Sequence, residues 1–356
     1  MDNKHLKERV VPQTMRGESL IGTALKYFGV VNDNKVIFDN NLYNKQAYNS
    51  DKTTRNSCFF GELFKGLGSG KVTYKTYLNK LFEDNNTETK YVPSNVNCLI
   101  KRTREDSAYG EVVGSRLANL LGVDTVFNVA IEDSVAMEYL DLSYCDAAYE
   151  YTLSVDYIPE DYKTEDLQTL EVLFSQDDSF DIWLTRIDEA LPRIAKKLHI
   201  KLTSENVSKF KEDLCKMYIF RNLLCDDYDM ESKNISILYN EKTGDFYLAP
   251  NLDMEYLFKG GRSYLYSKDL IENNMRFIRE NYPHIIKDMM KRINNNLNNG
   301  KLENIMYNTL KFTEDTCAHK YKVLERNAEL LDEFYNCDIN TLPNNSIIDT
   351  DIVNER

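Results

Sequence analysis

Residues 217 to 257 read MYIFRNLLCDDYDMESKNISILYNEKTGDFYLAPNLDMEYL, and the order of patterns in this stretch decides the fold prediction. The apolar run from Met217 to Leu224 is typical of a buried helix, and it ends in an acidic turn. Two runs of alternating polar and apolar residues follow, Ile235 to Tyr239 and Asp245 to Leu248. The stretch therefore predicts a helix, an acidic loop and a β-hairpin, in that order.

Three polar residues of this stretch are spaced so that they meet at one end of the predicted hairpin. Asp229 leaves the acidic loop, Asn234 follows it by five residues, and Asp253 comes after the second strand. Magnesium-dependent phosphoryl transfer uses such a set: one carboxylate orients a hydroxyl, while an Asn and an Asp hold metal on the phosphates. The same residue types are common in ordinary turns, so the spacing alone leaves both interpretations open.

The composition is that of an ordinary globular protein. The 356 residues, 42% hydrophobic and 28% charged, suffice for a sizeable core and favour two lobes or domains. A net charge of −13 argues against a general nucleic-acid binder. Seven scattered cysteines without a C-x-x-C pair predict reduced thiols and no zinc site. Without a signal segment or a long apolar run, we expect no membrane association and a cytoplasmic location, with leaderless secretion left open.

A second candidate constellation lies upstream. Lys101 stands near the end of a predicted strand, Tyr91 to Arg102, and Glu111 follows it by ten residues. We expect an amphipathic helix to begin at Gly110 and Glu111 and to end at Gly122. In a kinase-like small lobe the Lys contacts nucleotide phosphates and the helix Glu holds it in place. The alternative is an exposed strand-end lysine and a glutamate that the helix dipole favours.

The segment KGLGSGK, which contains Gly68 and Gly70, is a candidate phosphate-binding loop. It does not match a Walker A motif, because Lys71 is followed by Val72 instead of Ser or Thr. Its backbone amides would approach phosphate, or it is a plain surface turn.

The strand AMEYL ends in Glu138, Tyr139 and Leu140 and runs into an acidic segment. In a two-lobe nucleotide-binding fold, backbone groups at such a place border the adenine. A simple edge strand is the other interpretation.

The patterns divide the chain into four parts. We expect a loose arm (1–18), a sheet-rich part (19–150), a helical part (151–337) and a polar tail (338–356). A link between the lobes is expected within residues 144–163. The helices predicted in the second half are Ile182–Leu198, Glu205–Leu224 with Ser204 as N-cap, Ser267–Asn281, Pro283–Leu297 and Leu302–Tyr335.

Together these segments resemble the HipA-like serine/threonine kinase family, in particular its compact CtkA-like members, over roughly residues 60 to 300. NLLCDDYDMESKN is similar to the family pattern D-x-x-I-G-N-x-D-R-H-x-x-N, which places Asp229 at the catalytic Asp and Asn234 at the metal-binding Asn. LAPNLD is similar to L-A-P-x-x-D, which places Asp253 at the second metal ligand. GEVVGSRLANLLGV and LIKR resemble the family's helix and strand that carry Glu111 and the ATP-binding Lys101.

The resemblance implies a two-lobe, protein-kinase-like α+β fold with a small mixed-sheet N-lobe and a mostly helical C-lobe. It also implies ATP and Mg²⁺ as cofactors, and transfer of the γ-phosphate to Ser or Thr hydroxyls of a protein, the chain itself included. The residues around Asp229 include three departures from the family pattern: Asp227 replaces Asn, Met230 replaces Arg and Glu231 replaces His. These changes leave two further interpretations open, a pseudokinase that acts as a nucleotide-gated binding module and a kinase of a small molecule or lipid.

Overall fold

The computed structural model describes residues 25–32, 35–38, 96–126, 128–131, 149–155, 162–175, 177–227, 229–251, 253–258, 268–308 and 314–336. Within these ranges the protein is a mixed α and β structure with small sheets and mostly helical content. Strands dominate the earlier ranges and helices the later ones. The division of the chain into two lobes stays a prediction.

A five-stranded antiparallel sheet lies in the earlier part and has the strand order β2-β1-β3-β5-β4. Its strands are β1 (Leu25–Asn32), β2 (Lys35–Phe38), β3 (Val96–Arg104), β4 (Asn128–Ile131) and β5 (Tyr149–Val155). Strand β5 lies within residues 144–163, where a link between lobes is predicted, and the predicted boundary at residue 150 falls inside this strand. The acidic, Tyr-rich composition of the region concealed an alternating strand, YEYTLSV.

Helix α1 (Glu105–Leu120) follows β3 directly and packs against the sheet. The prediction that it begins at Gly110 and Glu111 is wrong. It begins earlier because Glu105 and Asp106 lie in its first turn, where carboxylates complement the helix dipole. The C-cap is Leu121, one residue before the predicted Gly122. Gly122 follows it with a φ of 78°, in the left-handed conformation that glycine adopts without strain.

A three-stranded sheet with the order β6-β7-β8 carries the central hairpin. Its strands are β6 (Lys163–Asp166), β7 (Ser236–Asn240) and β8 (Asp245–Leu248). The hairpin is confirmed, with its first strand shifted by a single residue from the prediction.

The helices of the later ranges are α2 (Phe180–Lys197), α3 (Ser204–Tyr218), α4 (Lys268–Asn281), α5 (Pro283–Asn298), α6 (Lys301–Asn308) and α7 (Glu314–Asn336). A short π-helix, Ile219–Leu224, continues α3 into the acidic loop. The N-cap of α3 is Thr203, not the predicted Ser204, because Thr203 forms a reciprocal capping box with Asn206. Helices α6 and α7 cover most of the predicted single helix, and residues 309–313 lie outside the described ranges.

The core of the later ranges is built on aromatic residues of α2 and α3. Trp183 is fully buried and stacks on Phe174, with a distance of 4.3 Å between the ring centroids. Phe180 and Tyr218 extend the same cluster. None of the helices in the described ranges is both long and apolar enough to cross a membrane.

Candidate active site

Lys101 lies between two carboxylates that come from distant parts of the sequence. Its ammonium nitrogen Nζ donates to Oε1 of Glu111 at 2.5 Å and to Oδ1 of Asp253 at 2.8 Å. Lys101 and Glu111 are buried, whereas Asp253 is partly exposed. The structure therefore brings together three of the residues that the sequence analysis selected, on β3, on α1 and after β8.

Two glycines of α1 permit this meeting. A Cβ atom on Gly110 would lie 2.3 Å from the carbonyl oxygen of Met254, and one on Gly114 would lie 2.4 Å from a methyl carbon of Leu257. Real Cβ atoms do not approach other atoms so closely. The helix thus packs its backbone directly on the segment that carries Asp253, which places Glu111 and Asp253 on either side of Lys101.

Glu111 is held by a second set of contacts that the sequence analysis missed. The amide nitrogen of Asn128 on β4 donates to Oε2 of Glu111 at 3.3 Å and to its backbone carbonyl at 3.2 Å. The hydroxyl of Ser154 on β5 donates in turn to the amide oxygen of Asn128. A lone Asn and a lone Ser in strands give no sequence signal, because only the register of β4 on β5 brings them together.

The charge of Lys101 is stabilised by this arrangement. Burial by itself lowers the pKa of a lysine, since it penalises the charged form. The carboxylates of Asp253 and Glu111 outweigh that effect and hold the pKa of Lys101 above its usual range. The lysine therefore remains a cation at any physiological pH.

Asp229 and Asn234 meet in the loop that follows the π-helix. The amide nitrogen of Asn234 donates to the carbonyl oxygen of Asp229 at 2.6 Å and to its carboxylate Oδ2 at 3.0 Å. Lys233 lies 3.1 Å from the other carboxylate oxygen of Asp229 and 3.1 Å from a carboxylate oxygen of Glu231. Glu231 and Asp229 thus share Lys233 as an ion-pair partner.

Met230 and Asp227, on either side of Asp229, are both buried. Met230 is part of the hydrophobic core. Asp227 is fully buried against the guanidinium of Arg221 and accepts the backbone N–H of Asp229 at 2.9 Å. Neither side chain adds an exposed charge beside Asp229.

Arg221 joins the two groups of residues. Its guanidinium donates to the carboxylate of Asp227, to the amide oxygen of Asn251 at 3.1 Å and to the carbonyl oxygen of Asp253 at 3.1 Å. The segment with Asn251 also pairs with Thr125, just after α1. A charged residue inside the apolar run FRNLL was the signal available in the sequence, because such a charge requires a buried partner.

The hydroxyl of Tyr256 is influenced by charges from both groups of residues. Burial raises the pKa of its hydroxyl, and the negative charges of Glu255, Asp229 and Asp253 raise it further. Lys233 has the opposite effect on the same hydroxyl. The carboxylates of Asp229 and Asp253 therefore act on a common side chain.

The residues predicted to hold metal have the right donor atoms. Asn234 uses its amide nitrogen on Asp229, which leaves its oxygen as the atom for a cation, and Asp253 supplies a carboxylate. Oxygen ligands of this kind suit Mg²⁺. In the ranges described, no three His, Cys, Asp or Glu side chains form a cluster that would hold a metal on their own. The predicted nucleotide contacts at Gly68, Gly70, Glu138, Tyr139 and Leu140 lie outside the described residues.

Comparisons with known proteins give structural neighbours. No family model matches the sequence, and no curated protein matches it significantly. The proinflammatory kinase CtkA of Helicobacter pylori is similar at 14% identity and a TM-score of 0.45, over 68% of this chain and 90% of that one. HipA of Shewanella oneidensis, from a complex with HipB and operator DNA, has the same identity and TM-score over 69% of this chain. This chain spans 62% of that HipA chain, which is less than two thirds of its length.

Proposed function

We propose that this protein is an ATP- and Mg²⁺-dependent kinase that transfers the γ-phosphate to Ser or Thr hydroxyls of a protein, itself included. The observation that carries the proposal is the contact of Lys101 with Glu111 and Asp253. A lysine held by a helix glutamate beside a metal-binding aspartate is the constellation that positions nucleotide phosphates in kinases. The proposal includes two lobes that meet near these residues.

Lys101 binds the phosphates of the nucleotide in this proposal. Its raised pKa keeps it charged, and Glu111 fixes its direction. Gly68 and Gly70 would add backbone amides, and Glu138, Tyr139 and Leu140 would border the adenine through backbone groups. Asn234 and Asp253 would hold Mg²⁺, which neutralises developing charge on the transferred phosphoryl group.

Asp229 orients the hydroxyl of the substrate and accepts its proton. Its carboxylate is partly exposed, and Asn234 and Lys233 fix both of its oxygens. Two oxygens fixed by neighbouring donors present the carboxylate in a single direction, as a positioned proton acceptor requires.

Labelled ATP tests the role of Asp229. We expect the Asp229→Asn variant to transfer the γ-label about 100-fold to 10,000-fold more slowly than the wild type, because the proton acceptor is lost. Melting should be little changed, since the amide keeps the shape of the carboxylate. The measurement is the initial rate of label incorporation with Mg²⁺, followed by mass spectrometry of the modified residues.

The matched control is Asp188→Asn, which also removes a carboxylate paired with a lysine, Lys211, but at an exposed site on α2. It should transfer label at the wild-type rate. If Asp229→Asn is as fast as this control, Asp229 does not act as the base. Binding of Mg²⁺-ATP by a wild type that transfers nothing would favour the pseudokinase, and transfer only to a small molecule or lipid would favour that class.

A further inference from the structure

We infer that Arg221 is a positioning residue that fixes the two carboxylates of the proposed site, Asp229 and Asp253, relative to each other. The effect on phosphoryl transfer rests on the proposed function, whereas the effect on the two loops does not. Arg221 itself contacts neither ATP nor metal in this account. It acts through Asp227 and through the backbone of Asp253.

The geometry gives Arg221 contacts with both loops. On one side its guanidinium binds the carboxylate of Asp227, whose other oxygen accepts the N–H of Asp229 at 2.9 Å. On the other side it donates to Asn251 and to the carbonyl oxygen of Asp253, both at 3.1 Å. A single planar group therefore connects the start of the catalytic loop with the residue that holds metal.

The burial of this group makes the connection rigid. The side chains of Arg221 and Asp227 are both 0% exposed. A buried guanidinium is stable only when partners satisfy it, so none of these contacts is released without a large penalty. The planar fork of donors also fixes the directions of its partners, which the single ammonium of a lysine does not.

The backbone around Arg221 needs such support. Asp226 and Asp253 both lie in the left-handed region, with φ of 54° and 53°. This conformation costs free energy for residues other than glycine, although Asp and Asn adopt it more readily than most. Arg221 binds Asp227, which follows Asp226, and the carbonyl oxygen of Asp253. It therefore supports the backbone at both left-handed positions. It stands in the π-helix, where the backbone N–H of Asp227 also returns to the carbonyl of Arg221 at 2.9 Å.

Loss of Arg221 should affect the chemical step more than the binding of ATP. Glu111 is held by Asn128, which Arg221 does not contact, and Glu111 in turn binds Lys101. Asp229 and Asp253, by contrast, would no longer be held at a fixed position relative to each other. A misplacement of about 1 Å between reacting groups lowers rates by about 100-fold.

Removing Arg221 alone would leave Asp227 buried without its cation, and the single variant is a poor test because that unpaired charge by itself opposes folding. The decisive protein is therefore the full chain with both changes, Arg221→Met and Asp227→Asn. It contains no uncompensated charge, and the amide introduced by Asp227→Asn keeps an oxygen for the N–H of Asp229. The matched control pair is Arg186→Met with Asp178→Asn, since Arg186 likewise binds a carboxylate and a carbonyl oxygen, that of Leu173.

The experiment measures kcat and KM for ATP, the melting temperature, and hydrogen exchange at the backbone amide of Asp229. For the double variant we expect a folded protein that melts below the wild type, because Asn251 and the carbonyl of Asp253 lose the Arg221 donor. We also expect a kcat lower by about 100-fold, a KM within about threefold and faster exchange at the amide of Asp229. The control pair should match the wild type in kcat and exchange. A double variant with a kcat within about twofold of the wild type would overturn the inference.

Two further outcomes remain decisive. If the wild type transfers no phosphate, the proposed function fails, and the positioning role is then decided by hydrogen exchange at the amide of Asp229. Faster exchange in the double variant than in the wild type supports the role, and equal exchange in the two proteins overturns it. If the double variant does not fold, Arg221→Lys replaces it, because it keeps the charge and loses the fork. The same measurements are then made on Arg221→Lys. A kcat equal to that of the wild type overturns the inference, and if the wild type itself is inactive, unchanged exchange at Asp229 overturns it.

Discussion

At the scale of single residues, the site depends on the charge interaction between Lys101 and its two carboxylates. The cation is buried, which is unfavourable in isolation, yet its contacts with Glu111 and Asp253 raise its pKa above the ordinary value. The same contacts prevent Glu111 from being a buried, unpaired anion. Lys101 is therefore important for stability as well as for the proposed binding of phosphate.

The Lys101→Met variant tests the stability role. We expect it to lower the free energy of unfolding by about 3 to 5 kcal/mol, because Glu111 is left buried without its cation. A lysine whose folded pKa is raised contributes stability that is fully present below its unfolded pKa of about 10.4, and that is lost only as the pH rises through the folded value. The difference between wild type and variant should therefore stay constant from about pH 7 to about pH 9.

Urea unfolding at several pH values measures this difference. Lys163→Met is the control, since its pair with Glu241 is exposed and should be worth less than about 1 kcal/mol. A wild-type advantage that grows between pH 7 and pH 9 would indicate a depressed lysine pKa and contradict the account.

Asn128 offers a second test at this scale. Replacing it with Leu leaves a carboxylate oxygen and the carbonyl of Glu111 without their donor, and we expect a loss of about 1 to 3 kcal/mol in unfolding free energy. Asn128→Asp should be more damaging, because it places a second carboxylate beside Glu111. Chemical denaturation of both variants measures which of them is less stable. An Asp variant as stable as the Leu variant would show that Asn128 does not hold Glu111.

At the scale of elements, the close approach of α1 to the segment after β8 assembles the site. Gly110→Ala should lower the unfolding free energy by about 1 to 3 kcal/mol, because the added Cβ would lie 2.3 Å from the backbone oxygen of Met254. Helix propensity alone predicts the opposite sign, a gain of about 1 kcal/mol. Thermal or urea unfolding of Gly110→Ala shows whether the variant is less or more stable than the wild type. The control is Asn119→Ala, at a partly buried position of the same helix, which should be neutral or stabilising. A Gly110→Ala protein more stable than the wild type would rule out the close approach of α1 to the backbone of Met254.

The sequence predicted elements where the pattern was local and missed those that depend on distant partners. The hairpin of β7 and β8 follows from alternation, and the end of α1 follows from Gly122. The start of α1 was missed because polar Glu105 and Asp106 conceal a favourable first turn. Strand β5 was missed because its pairing with β3 and β4 gives it its place, and composition does not show pairing.

The same distinction holds for the site. Lys101, Glu111 and Asp253 were selected by order and spacing, and the structure brings them together. Asn128 and Ser154 contribute through strand register, which a single sequence does not display. Arg221 gave a signal, a charge within an apolar run, but its partners Asn251 and Asp253 lie about thirty residues away.

At the scale of the whole molecule, α1 links the sheet that carries Lys101 to the helical part that carries Asp229. One face of α1 packs on β3, β4 and β5, and its glycines pack on the segment with Met254 and Leu257. Tyr109 of the same helix donates to the carbonyl of Met306 in α6 at 2.9 Å. Helix α1 therefore helps to position the proposed phosphate-binding and metal-binding residues, together with the direct contact of Lys101 with Asp253.

We propose above that Lys101 and Asp253 form the phosphate- and metal-binding part of a kinase site. Transfer of label from γ-labelled ATP over a magnesium titration tests this proposal most directly. The full chain and its Asp253→Asn variant are compared, since Asn tolerates the left-handed φ of 53° and should preserve the fold. We predict label on Ser or Thr only with Mg²⁺, and an initial rate about 100-fold lower for Asp253→Asn, with a higher magnesium requirement. No transfer by the wild type at any magnesium concentration, or an equal rate for the variant, would contradict the claim.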